Sequence, residues 1–305
     1  MPKIGLALGS GSARGWAHVG VLRALREEGI EPDVVCGASI GAFVGAAYVN
    51  GDLDRLETWV ATLTWQDVLG LLDFRLKGGI ISGGKLMSYF ERNFVDRRIE
   101  ELDRPFIAVA TDLINGHEVW LREGKVARAV HASLAMPGLF APVAWNGSFL
   151  VDGGLVNPVP VSVCRALGAE VVIAVDLGSD LVGRSAWREG KHPPPASQRE
   201  DGWARRVLAR LTRPNGHDGH GGNGHEATAD TDIQPSMAAV IAGGINIMQV
   251  RIARSRLAGE PADVLLSPRL GHLGLMDYHR GAEAIAEGRA AVRRMLPAIE
   301  HALGK

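Results

Sequence analysis

Apolar residues in this 305-residue chain recur in two alternating patterns from the N-terminus onward. Ile4-Gly5-Leu6-Ala7-Leu8, Asp33-Val34-Val35-Cys36, Ser148-Phe149-Leu150-Val151 and Val171 to Leu177 have the length and β-branched content of buried strands. Trp16 to Glu28 reads as a helix, with Val19, Leu22 and Leu25 among its apolar positions and Gly29 as its stop. A second helix is predicted over Ala42 to Asn50. Asp52 stands where it would cap a third, which carries Leu53, Leu56, Trp59, Val60 and Leu63. Pro105 to Asp112 and Glu118 to Arg122 flank Asn115-Gly116 and predict a hairpin. Lys125 to Leu134 and Val159 to Leu167 read as helices. Beyond them come a long helical run from Met237 to Ala258, a strand-like Asp263 to Leu266, and a final helix from about Asp277 to Leu303. Gly243-Gly244 weakens the long helix and marks close packing or a kink. The alternation predicts an α/β fold, a mostly parallel sheet flanked by helices on both faces. Such sheets place ligands at the carboxyl ends of their strands.

Two stretches depart from this rhythm. Trp65 to Phe94 gathers Val68, Leu69, Leu71, Leu72, Phe74, Ile80 and Ile81 around Gly78-Gly79 and Gly83-Gly84. It reads either as an apolar lip over a site or as helical packing with a glycine-rich turn. Residues 183–234 read as a flexible Pro/Gly/His-rich linker, with His192-Pro193-Pro194-Pro195 and Asn215 to Glu226 as its clearest parts. Inside it, Trp203, Val207, Leu208 and Leu211 fall on one side of a short helix, and Arg205, Arg206, Arg210 and Arg213 on the other. A basic amphipathic helix of this kind suits an anionic membrane surface or packs its stripe on the protein. His217, His220 and His225 have no fixed geometry, and no metal site is expected. Arg251, Arg254 and Arg256 read as a solvated basic face.

Candidate chemistry sits at three strand ends. Gly37-Ala38-Ser39-Ile40-Gly41 is a G-x-S-x-G sequence between a predicted strand and a predicted helix, the context of a nucleophile elbow. Gly9-Ser10-Gly11-Ser12-Ala13-Arg14-Gly15 joins the first strand to the first helix, and its unpaired N–H groups would suit an anion or an oxyanion. Asp152-Gly153-Gly154 ends another strand, as a turn facing a pocket or as an Asx-turn or cap. His18 and His131 lie in the same region. A lone helical histidine is more often structural than catalytic, and the sequence leaves a triad through either of them open.

In this order the three elements resemble the patatin-like phospholipase family, most closely its small bacterial cytoplasmic members. Trp16 to Leu22, Ala132 to Phe140 and Val151 to Pro160 agree as well. The resemblance implies a catalytic domain over residues 4–178, with residues 236–305 as a C-terminal helical segment packed on it. It implies Ser39 as nucleophile and Asp152 as general base of a dyad, with Gly11, Ser12, Ala13 and Arg14 at the oxyanion loop. Gly9, Gly15, Gly37, Gly41, Gly153 and Gly154 are the motif glycines. Where family loops run as nearly continuous glycine, positions 10 and 12 here are serine, and a positive φ at either would carry strain. The activity implied is a serine esterase or lipid acyl hydrolase on phospholipids or related acyl esters, needing no cofactor. The lip would then suit acyl chains. The alternatives are a patatin-fold regulator or adaptor with little activity, and a nucleotide-binding protein, for which Gly9-x-Gly11-x-x-x-Gly15 has the wrong spacing.

Composition supports this picture. Hydrophobic residues make up 46% of the chain, and the formal net charge of −1 gives no reason to expect nucleic acid as a partner. Cys36 and Cys164 form no disulfide framework and read as small core residues. The chain enters a strand almost at once and contains no uncharged apolar run of spanning length. The expectation is a cytoplasmic protein in peripheral contact with the inner face of the membrane. Its oligomeric state is not set by the sequence.

Overall fold

The computed structural model describes residues 2–71, 82–180 and 237–305. Eight strands form one sheet: β1 (Ile4–Leu8), β2 (Val34–Ala38), β3 (Phe106–Asp112), β4 (Glu118–Leu121), β5 (Val143–Trp145), β6 (Ser148–Asp152), β7 (Val171–Val175) and β8 (Val264–Leu266). In the order β3-β2-β1-β7-β8 the strands are parallel. The strands β4, β5 and β6 join antiparallel at one end. The short β5 and its turn to β6 are not among the elements expected from the sequence. That turn is Asn146-Gly147, with positive φ at both residues, the conformation a two-residue hairpin needs.

Nine helices are described: α1 (Ala17–Glu27), α2 (Ile40–Val49), α3 (Leu53–Thr62), α4 (Trp65–Leu71), α5 (Gly84–Asn93), α6 (Val126–Leu134), α7 (Val161–Ala166), α8 (Met237–Gly259) and α9 (Gly281–Ala302). The period-two alternation of the strands feeds two cores. Leu6 and Leu8 of β1 face the larger one, with Val19, Phe43, Leu56, Phe90, Val130 and Ile285 from α1, α2, α3, α5, α6 and α9. Ala7, Cys36 and Ala38 face the smaller one, with Val163 and Cys164 of α7 and Ala253 of α8. Helices therefore cover both faces of a mostly parallel sheet.

The C-terminal segment is built into this body. β8 extends the sheet beside β7, and α9 lies directly on α1. A Cβ at Gly20 would stand 1.9 Å from the Ile285 carbonyl oxygen, and one at Gly288 would stand 2.0 Å from that of Ala17. The two backbones touch there, which only glycine permits.

Several local expectations change. Asp52 sits at the N-cap of α3, yet its carboxylate accepts from Asn50 Nδ2 (2.6 Å) and Arg55 Nη1 (2.9 Å) instead of the helix backbone. Gly243 and Gly244 are not close-packing sites, because a Cβ at either would meet open space and α8 runs through them unbroken. Arg256 is not on a solvated face: it pairs with Glu118 at 2.9 Å. Residues 72–81 of the apolar stretch, the helix expected at Trp203 to Arg213 and the histidines at 217, 220 and 225 lie outside the described residues.

One feature of register governs the site. β4 runs along one edge of β3, where Ala108 to Thr111 face Leu121 to Glu118. On the opposite edge β2 comes first, with Ala38 facing Val109, and β6 takes over at the next residue, with Asp152 facing Ala110. Residue 39 leaves the sheet where residue 152 arrives. Leu8 of β1 faces Gly37, so the loop after β1 begins beside them.

Gly288→Ala is expected to destabilise the protein by about 3 kcal/mol, the upper part of the overpacking range, because backbone rather than a side chain must move. Urea unfolding measures this, and an unchanged midpoint would contradict the docking of α9 on α1.

Candidate active site

Ser39 occupies the turn between β2 and α2 with φ 56° and ψ −125°, a region that L-residues rarely adopt. Holding it there costs on the order of 1–3 kcal/mol. Its neighbours supply the restraint. The Ser39 N–H donates to Ser133 Oγ at 2.9 Å, and Ser133 Oγ–H donates to the Val109 carbonyl at 2.5 Å. Ser133 is fully buried on α6 and thereby ties the elbow to β3. The sequence reading did not single it out, because its role depends on the packing of α6 across the sheet. The motif glycines serve space. A Cβ at Gly37 would meet Ala42 N at 2.4 Å, and one at Gly41 would meet Leu8 O at 2.1 Å. Neither has positive φ; the left-handed positions of the site are the two serines, Ser12 and Ser39.

Asp152 is fully buried at the end of β6. Its Oδ2 accepts from Ser39 Oγ at 2.5 Å and its Oδ1 accepts from the Gly154 N–H at 2.7 Å. The residue is thus both the cap of the turn at Gly153–Leu155 and the hydrogen-bond partner of Ser39. Thr111 Oγ1 donates to the Asp152 carbonyl at 2.8 Å and fixes its backbone. Burial raises the carboxyl pKa to about 6, against the opposing pull of the hydrogen bonds from Ser39 and Gly154. Gly153 lets the turn lie on β3, where a Cβ would come within 2.1 Å of the Val109 carbonyl.

Neither histidine joins this pair. His18 is fully buried, its Nε2 is 2.8 Å from the Gly9 carbonyl, and burial lowers its pKa to about 4. It is therefore neutral at physiological pH, with its Nε2–H donating to the glycine loop. His131 Nε2 lies 3.1 Å from the Ser82 carbonyl.

The loop from Gly9 to Gly15 narrows the expected donor set. Gly9 N–H donates to Val175 O (3.1 Å) and Ser10 N–H to Pro158 O (2.8 Å). Ala13 N–H is committed to Leu275 O (3.1 Å) and Arg14 N–H to Gly11 O (3.3 Å), so these two are not available to an oxyanion. Among the described residues, the N–H groups of Gly11 and Ser12 have no partner. Gly15 lets the loop pack on the elbow, where a Cβ would overlap Ile40. Arg14 is buried and lines a small cleft with Ser10, Asp176 and Gln249, beside Gly154.

A small apolar cavity opens beside Ile40, the residue after Ser39. Trp16, Phe43 and Trp59 form one wall, and Leu134, Leu139 and Phe140 another. Val68 and Leu71 of α4, Leu86 of α5, and Met276 and Tyr278 complete it. The described ends of the expected lip thus line the cavity. Among the described residues no cluster of His, Cys, Asp or Glu could hold a metal ion.

A family model described as patatin-like phospholipase matches residues 6–165. Uncharacterised NTE family proteins of Mycobacterium bovis and Mycobacterium tuberculosis are 33% identical over 337 residues, covering 98% of this chain and 92% of theirs. Patatin-like phospholipase domain-containing protein 7 of Rattus norvegicus is 39% identical over 184 residues, 58% of this chain and 14% of that protein. The crystal structure of VipD from Legionella pneumophila is similar with a TM-score of 0.48 and 14% identity, covering 99% of this chain and 78% of that one.

Raising the Asp152 pKa from 3.8 to about 6 corresponds to roughly 3 kcal/mol charged against the folded state once the carboxylate is ionised. Below the unfolded pKa the carboxyl is neutral in both states and the cost is absent; it develops as pH rises through the folded pKa. Asp152→Asn is therefore expected to raise Tm by a few degrees at pH 8 and to leave it near wild type at pH 4. An Asn variant less stable than wild type at pH 8 would contradict the burial argument.

Proposed function

The chain belongs to the patatin-like phospholipase family, a family of lipid acyl hydrolases, and from that premise we propose that it cleaves the carboxylic ester bonds of phospholipids or related acyl lipids through Ser39 and Asp152. The observation that carries the reading is the 2.5 Å hydrogen bond from a strained serine to a buried carboxylate of raised pKa. The acyl chain enters the apolar cavity and sets its carbonyl over Ser39. Asp152 takes the Ser39 Oγ proton as the Oγ–C bond forms. A base with a pKa of about 6 is better matched to this transfer at neutral pH than an exposed aspartate. The negative charge that develops on the carbonyl oxygen is met by the N–H groups of Gly11 and Ser12. Collapse of the tetrahedral intermediate expels the alcohol, which receives the proton from Asp152. Water then attacks the acyl-enzyme, with Asp152 again as base, and releases the fatty acid. In this reading residues 4–178 carry the catalytic groups and residues 237–305 complete the cavity and the loop.

We extend the proposal to peripheral contact with an anionic lipid surface. Val240, Ile241, Ile247 and Met248 recur on one exposed side of α8, and Arg251, the next residue of that side, is exposed too. Arg251 and Arg254 are exposed and α8 carries no acidic residue, which favours anionic headgroups. The face borders the site: a Cβ at Gly138, beside Leu139 of the cavity wall, would lie 3.6 Å from Ile241 Cγ2. Among the described residues no helix is long and apolar enough to cross a membrane.

Two outcomes are expected. Purified protein hydrolyses p-nitrophenyl esters, Ser39→Ala does not, and kcat/KM rises with pH through an apparent pKa near 6 as Asp152 loses its proton. Equal rates for wild type and Ser39→Ala would remove the esterase reading and favour a regulator. In sedimentation with phosphatidylglycerol vesicles, Ile247→Gln with Met248→Gln should lose most binding while keeping hydrolysis of a soluble short-chain ester. Undiminished sedimentation would remove the docking face.

A further inference from the structure

The oxyanion loop is held by a segment about 260 residues away in the sequence. Ser12 has φ 53°, in the left-handed region that residues other than glycine seldom occupy, so the loop at this position needs restraint from its surroundings. What holds it is Leu275 to Tyr278, between β8 and α9. Ser12 Oγ–H donates to the Leu275 carbonyl at 2.6 Å. That bond uses the only proton of the Ser12 hydroxyl, so its 2.7 Å contact with Tyr278 must be donated by the tyrosine O–H. The same Leu275 carbonyl accepts from Ala13 N–H at 3.1 Å, and Trp16 Nε1 donates to the Tyr278 carbonyl at 3.1 Å. The arrangement is a relay, Tyr278 O–H to Ser12 Oγ–H to Leu275 C=O, joined to the chain again at Ala13 and Trp16. The N–H groups of Gly11 and Ser12 take no part in it. Met276 and Tyr278 also line the apolar cavity.

We propose that Leu275–Tyr278 is a strap that sets the oxyanion loop, with the Tyr278 hydroxyl as a positioning residue, and that an acyl chain filling the cavity acts on the loop through it. The proposal rests on the esterase reading for its kinetic consequence but not for its structural one. The strap lies outside residues 6–165 matched by the family model, so the motifs of the catalytic segment do not describe it. It gives the C-terminal segment a task beyond packing. It also makes acyl chain length register in kcat, because an acyl group that reaches Tyr278 and Met276 presses on the residues that hold the donors, whereas a shorter one leaves the strap untouched.

The test is a double-substitution cycle on the full chain. Tyr278→Phe keeps the ring in the cavity wall and removes only the hydroxyl. We expect kcat for a long-chain p-nitrophenyl ester to fall about tenfold with KM changed less than twofold, a smaller loss than deleting an oxyanion donor outright. Ser12→Gly takes positive φ without an anchor and removes the hydroxyl that Tyr278 contacts, so its own kcat serves as the reference for the second arm of the cycle. Tyr278→Phe added to Ser12→Gly should then cost nothing further. A tenfold loss from Tyr278→Phe in both backgrounds, or in neither, overturns the strap. Hydrogen–deuterium exchange gives a readout that needs no activity. The Ala13 amide, which donates to the Leu275 carbonyl, should exchange at least tenfold faster in Tyr278→Phe than in wild type, with the amides of β1 unchanged. Exchange that is unaltered at the loop, or raised equally throughout the protein, contradicts the proposal. If wild type hydrolyses no ester at all, the esterase reading fails while the exchange measurement still decides the strap.

Discussion

A carboxylate held dry beside a serine hydroxyl, without a cationic partner, is the constraint around which the rest of the molecule is arranged. Among the described residues Asp152 forms no ion pair; its two oxygens are met by one hydroxyl and one backbone N–H. In water such a group would be a weak base. Burial makes it a better one, and makes the folded state bear the cost. A surrounding structure that yielded would let water in and lose both the raised pKa and the short contact with Ser39. The burial of Ser133 and Thr111, with the apolar cores on both faces of the sheet, keeps that from happening.

The same economy explains the strained serines. Ser12 and Ser39 both sit at positive φ, and each is restrained by groups remote in sequence: Ser133 for the elbow, Leu275 and Tyr278 for the loop. Local strain of this kind persists only where the surroundings over-determine it. The sheet supplies the geometry. β2 and β6 meet end to end along one edge of β3, so Ser39 and Asp152 arrive at adjacent positions from opposite strand directions. The glycines of the motifs then let the loop, the elbow and the turn close around that point.

Much of this was legible in the sequence because it is local. The strand, elbow and helix around Ser39 and the strand before Asp152-Gly153-Gly154 each declare themselves within about a dozen residues. The parallel core strands do so too, since burial on both faces leaves continuous apolar runs. What could not be read is what depends on register and on distant packing. Nothing near Ser133 marks it as a ligand of the elbow, and nothing near Leu275 or Tyr278 marks them as partners of Ser12. Serine at position 12 looked like a departure from a glycine-rich loop; its hydroxyl turns out to be the handle by which the loop is held. The histidines illustrate the converse. His18 is near the site in sequence and in space, yet burial and the Gly9 carbonyl fix it as a neutral donor to the loop.

The measurement closest to the central claim follows a single covalent event at Ser39. Intact-protein mass spectrometry with a fluorophosphonate reports attack of Ser39 Oγ on phosphorus, loss of fluoride and transfer of the hydroxyl proton to Asp152. The dyad predicts one adduct on wild type, formed more slowly as pH falls through about 6, and none on Ser39→Ala. Asp152→Asn should form it at least a hundredfold more slowly. Labelling that survives Asp152→Asn undiminished, or that ignores pH between 5 and 8, would show that the buried carboxylate is not the base and would contradict the account.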